Sequence, residues 1–279
     1  MNDMAGRFKL SEERERLLKD GIDLIVLSNR PESWQESREN KSMGNGGCDQ
    51  MQSIVYAWIA GLGEDPRLRA PLEDAATHLK EAIDNKMVID YVTKTGNRPH
   101  PEYEALDHNQ CAIIAYWLKG DLESIPEFAR RAMEWYRIYM DCDYDWGGKA
   151  ATPGQRRKDC GNYLLYCINA REFAEGMRYF EELAAPVGGR NPPMPRLARL
   201  AYRICKARLN DESLDEKFLK EGERLLEKNM DDTWLFYGRS VEAAFWIKAI
   251  YYDAGFVSTP QEAFGRARAI LEKCEQAAT

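Results

Sequence analysis

One pattern governs what this chain can fold into. An apolar, aromatic-rich stretch at helical spacing ends in a short polar turn, and a second amphipathic stretch follows. The first such pair runs Gln52 to Gly61 and Leu68 to Tyr91, with a turn at Gly63-Glu64-Asp65-Pro66. The second is Gln110 to Lys119 and Ile125 to Met140, split at Gly120-Asp121. The third is Asn162 to Asn169 and Glu172 to Leu183; the fourth is Leu197 to Leu209 and Leu214 to Lys228, split at Asn210-Asp211. The fifth is Trp234 to Ala254 and Pro260 to Cys274, split at Gly255. Gly120 and Gly255 are expected to take the left-handed geometry that closes a helix. Asp121, Asp211 and Thr259 are expected to cap the next helix, with Pro260 at a first helical position. No sustained period-two alternation with hairpin turns marks strands.

The fold class is therefore all-α: an irregular stack of antiparallel helix hairpins, either a tetratricopeptide-like α-solenoid or a large helical bundle. The pairs recur at uneven intervals of roughly 40 to 60 residues, so they are not regular tetratricopeptide units. A single helical-repeat domain over residues 1–279 is expected. Within it, residues 11–47 hold an N-terminal helix (Ser11 to Asn29, ended by Pro31) and a polar connector containing Trp34. Residues 48–185 hold the first helix pairs and 196–279 the last. The Pro/Gly-rich residues 186–195 are either a hinge or, preferably, a long inter-repeat loop.

Composition narrows the function classes. A net charge of -7 and a pI near 5.3 disfavour nucleic acid and anionic membrane and favour a basic protein partner. The seven scattered cysteines sit mostly among apolar neighbours, which reads as buried thiols in a reducing compartment. The polar N-terminus resembles no signal peptide and no apolar run reaches the ~20 residues of a membrane helix, so a cytoplasmic location is expected.

Local motifs are weighed as follows. Asp141-Cys142-Asp143-Tyr144-Asp145-Trp146 begins like a calcium loop, but Trp146 stands where that loop needs glycine and Thr152 where it needs glutamate. No metal or cofactor is expected. Acids interleaved with Tyr144 and Trp146 instead suit contact with a basic protein surface. Asp231-Asp232-Thr233-Trp234 is a second such segment. The partner-binding residues expected are Asp141, Asp143, Tyr144, Asp145, Trp146, Asp231, Asp232 and Trp234. Gly44-Asn45-Gly46-Gly47 lacks the Lys and Ser/Thr of a phosphate loop and reads as a linker. Arg196, Arg199, Arg203 and Lys206 form a basic stripe that reads as the wet face of a helix. The tyrosines and tryptophans of the repeated helices read mainly as core.

Two segments carry a family resemblance. Ala105 to Arg131 contains Asp107-His108-Asn109-Gln110, an apolar helix, then Leu118-Lys119-Gly120-Asp121. Phe218 to Phe256 contains Leu225-Leu226-Glu227-Lys228, Trp234, Phe245 to Ala249, and Tyr252-Asp253-Ala254-Gly255-Phe256. Together they resemble the large helical immunity proteins of bacterial polymorphic-toxin systems, the immunity protein 49 family above all. The resemblance implies a cytoplasmic protein that binds and neutralises a cognate toxin domain, and it carries over no catalytic residues. The leading expectation is thus a non-enzymatic immunity protein with a basic toxin domain as partner. The alternatives are a tetratricopeptide-like adaptor that grips peptides, and a helical enzyme using His108 with a nearby carboxylate as general acid and base.

Overall fold

The computed structural model describes residues 39, 42–43, 45–59, 61, 63, 65–89, 101–141, 152–229 and 240–278. The expected N-terminal helix and Trp34 lie outside them. Ten α-helices are present among the described residues, and the fold is all-α, as the periodicity predicts. They are α1 (Asn45–Ile59), α2 (Arg69–Asp84), α3 (Pro101–Lys119), α4 (Ile125–Asp141), α5 (Pro153–Ala170), α6 (Phe173–Ala184), α7 (Arg196–Leu209), α8 (Glu216–Asn229), α9 (Ser240–Ile247) and α10 (Pro260–Ala278). A six-residue π-helical segment, Lys248–Asp253, continues α9 directly. Two strands of two residues, β1 (Ser42–Met43) and β2 (Val88–Ile89), pair in parallel. None of the described helices is long and apolar enough to cross a membrane.

The local signals act where expected, with two corrections. Gly120 and Gly255 have φ of 77° and 88°, the region that only glycine enters without a Cβ penalty. Thr259 Oγ1 accepts the Glu262 N–H at 3.2 Å, and Asp121 Oδ1 accepts the Ser124 N–H at 3.3 Å. Asp211, however, takes a left-handed φ of 55° just past α7, and Asp215 caps α8 by accepting the Phe218 N–H at 2.9 Å. Asn45, Gly46 and Gly47 belong to α1 rather than to a linker. Residues 186–195 join α6 and α7, which pack on each other; Val187 and Arg190 are bridged across a tight turn, as suits an inter-repeat loop.

Packing, not propensity, sets the architecture. Successive helices α2 to α7 lie beside one another as a stack. The stack does not end as an open solenoid. α9 and its π-helical continuation pack against α1, α3, α5, α7, α8 and α10, so the chain wraps around its own helix. Every residue from Ser240 to Tyr251 except Glu242 is buried. A helix apolar on all sides must lie inside, which explains why Phe245, Trp246, Ile247, Ala249 and Ile250 follow without helical periodicity. Most expected aromatic core residues are buried: Tyr56, Trp58, Tyr116, Trp117, Tyr136, Tyr139, Phe245, Trp246 and Tyr251; Trp135 is half-buried.

Close approach of α8 to the π segment depends on Gly222. A Cβ there would lie 2.7 Å from Ile250 Cγ2, and Ile250 is fully buried with a stiff β-branched side chain. Helix propensity alone would favour alanine by about 1 kcal/mol, whereas overpacking costs about 1–3 kcal/mol. Gly222→Ala is therefore expected to lower stability by up to about 2 kcal/mol in urea denaturation. A more stable variant would show that α8 yields freely.

Candidate functional site

Of the residues expected to bind a partner, Asp141 is described: it is the last residue of α4 and is exposed. Asp143, Tyr144, Asp145, Trp146, Asp231, Asp232 and Trp234 lie outside the described residues.

His108 is not placed as an accessible acid or base. It lies in α3, 1% exposed, with its Nε2 unpartnered among the described residues. Burial, helped by the nearby His78 imidazole, drives its pKa down to about 3, so the ring stays neutral. The expected thiol burial holds for Cys111, Cys160, Cys167 and Cys205, all free and buried. Desolvation pushes the Cys160 and Cys205 thiols up to about 12 and Cys167 higher still, which keeps them protonated and poor nucleophiles. The basic stripe on α7 divides. Arg203 reaches Glu221 at 3.0 Å and lies over the Phe218 ring, tying α7 to α8, while Arg196, Arg199 and Lys206 face solvent.

A different group of residues forms a built site. Lys248 is 3% exposed. Its Nζ donates to Asn169 Oδ1 and to Asp253 Oδ1, both at 2.7 Å, and lies 5.4 Å from the Tyr252 ring centroid. The π geometry makes this pairing possible. In an α-helix, residues five apart point about 140° away from each other around the axis. In the wider π turn the fifth residue comes back beneath the first, so Lys248 and Asp253 meet. Arg208, from the end of α7, donates its Nε to the Asp253 carbonyl at 2.7 Å and closes the C-terminal end of the segment.

These groups border a cavity of about 540 Å³. Its apolar wall includes Leu122, Ile125, Ile168, Phe173 and Val257. Arg171, at a left-handed C-cap with φ of 62°, stands at its rim and is 62% exposed in its side chain. Held between two acceptors, the Lys248 ammonium offers no lone pair for nucleophilic attack; it fixes the cavity floor and supplies charge. The sequence hid this site because Lys248 looks like a stray charge within Ala243–Tyr251, and α-helical spacing separates it from Asp253. A lone lysine in an otherwise apolar run was the available signal.

Comparison with known proteins returns no match: no family model, no curated protein and no solved structure resembles the chain significantly.

Proposed function

We propose that the chain is a non-enzymatic binding protein that acts in the cytoplasm as an immunity protein, occluding a cognate bacterial toxin domain. The observation that carries the reading is the self-filled centre of the stack. A tetratricopeptide-like adaptor holds its peptide against the inner helices of an open groove. Here that place is taken by Ser240–Asp253, packed against α1, α3, α5 and α7. What remains for a partner is the outer surface, which suits the face of one folded domain. The net charge of -7 favours a basic partner. The resemblance of Ala105 to Arg131 and Phe218 to Phe256 to helical immunity proteins agrees with this.

Asp141 adds a local argument. A carboxylate on the last residue of α4 faces the negative end of the helix dipole, which costs about 0.3–1 kcal/mol. Such a position is unfavourable for the helix and well suited to steering a cationic surface. The test is co-expression with the toxin-like domain encoded at the end of a neighbouring large reading frame. Restored growth and a defined complex are expected; persistent toxicity with the chain in excess would sink the proposal. In that complex, Asp141→Ser together with Asp143→Ser and Asp145→Ser is expected to slow association, more so at low salt. Asp141→Ser alone should leave the free chain as stable or slightly more stable. Rates that do not change across a salt series would remove the loop from the interface.

A further inference from the structure

We infer that the cavity beside the π segment is a binding site for a small organic carboxylate carrying an apolar body. The inference does not depend on the toxin partner. Three observations converge on it. First, the cavity lining contains three cations, Arg171, Arg208 and Lys248, against the single carboxylate of Asp253, in a chain whose net charge is -7. A local positive excess within an acidic protein focuses anions.

Second, the cations are not used up internally. Arg208 commits Nε to the Asp253 carbonyl, and among the described residues its two Nη groups have no hydrogen-bond partner. Arg171 makes one long ion pair, 3.7 Å to Glu123, whose side chain is 88% exposed. Such a surface pair is weak and readily exchanged. The paired Nη edge of a guanidinium matches a carboxylate in a two-point fork. Lys248 has two acceptors for three N–H donors, so one remains. Capping of helix C-termini accounts for the Arg208 Nε, but not for three cations around one volume.

Third, aliphatic and aromatic side chains share the lining with Asn169, Tyr252 and Ser258. Leu122 and Ile125 come from the α3–α4 turn and the start of α4, Ile168 from the end of α5, Phe173 from the start of α6 and Val257 from the segment before α10. A half-open cavity of about 540 Å³ that sets an apolar wall against a few convergent polar groups has the make-up of a small-ligand site. Inorganic phosphate would leave that wall unfilled. A ligand with a carboxylate head and a short aliphatic or aromatic body uses both halves. The π segment fits this role, because it holds a buried ammonium at the cavity floor where an α-helical turn would leave Lys248 without Asp253.

The experiment is calorimetric titration of the full chain with octanoate, octylamine and inorganic phosphate, alongside Arg208→Gln and Arg171→Gln. Both arginines are exposed, and circular dichroism is used to check that the variants fold. Saturable octanoate binding with a Kd below about 1 mM is expected. Each arginine variant should weaken it about tenfold, the scale of one charge-assisted hydrogen bond. Octylamine should not bind, and phosphate should bind at least about tenfold more weakly than octanoate. Any one of four results overturns the inference: no saturation by octanoate, equal binding of octylamine, equal binding of phosphate, or folded arginine variants that bind like the parent.

Discussion

Asp253→Ala is expected to destabilise the chain by about 3–5 kcal/mol, the range seen when one partner of a buried ion pair is removed. The Lys248 side chain is 4% exposed and meets solvent only through the cavity it borders. Without Asp253, its charge would keep one neutral protein acceptor, Asn169 Oδ1, and no carboxylate. The reverse change should be milder. In Lys248→Met the apolar stem is replaced in kind, and Asp253, 13% exposed in its side chain, keeps some contact with solvent. The double variant Lys248→Met/Asp253→Ala is expected to recover a large part of the loss, because no charge is then buried unpaired. Urea denaturation of the four proteins closes the cycle. A loss under about 1 kcal/mol for Asp253→Ala would mean that cavity water replaces the carboxylate, and the ion pair would not be a structural element of the segment.

Acid should destabilise the protein well above the carboxylate range, and His108 should be a major reason. Its folded pKa of about 3 lies below the ordinary 6.5, chiefly because burial penalises the imidazolium. Below pH 6.5 the unfolded chain takes up a proton that the folded one refuses until pH falls to about 3. Stability therefore falls as pH falls through that window, by up to about 1.4 kcal/mol per pH unit. Between pH 6.5 and 5 the loss from His108 alone is about 1.6 kcal/mol. His108→Leu should flatten this part of the profile and also remove an unpartnered buried nitrogen. An equally steep profile in the variant would assign the acid sensitivity elsewhere. The comparison belongs above pH 4.5. Below it other groups add losses. Asp84 is held low mainly by its hydrogen bond from Arg131. At Glu175, burial pushes the carboxyl up, but hydrogen bonds from Tyr163, Arg178 and Arg137 outweigh it. Both carboxylates stabilise the fold when ionised and lose that contribution as pH falls through their folded pKa.

The two predictions concern residues that the amino-acid string presents differently. His108 reads as a polar residue at the entrance of an apolar helix, and so as a candidate for catalysis. The fold seats it in the core beside His78, from the neighbouring helix α2, and that neighbour is thirty positions away in the chain. Lys248 reads as an interruption, and the fold makes it the floor of a cavity.

What the sequence determined by itself was everything that depends on neighbours within about one helical turn. It determined the helix pairs, the glycine stops at Gly120 and Gly255, and the caps at Asp121 and Thr259. Even there, the choice between Asp211 and Asp215 as cap depended on which of two nearby carboxylates the chain path left beside the Phe218 N–H. Only the tertiary structure decided that α9 fills the middle of the stack, that a π turn joins Lys248 to Asp253, and that helix ends from distant hairpins share one cavity. The physical reason is range. Capping and periodicity are local free energies written along the backbone. Burial of an all-apolar helix and pairing of a buried charge are set by elements that meet only once the chain has closed around them.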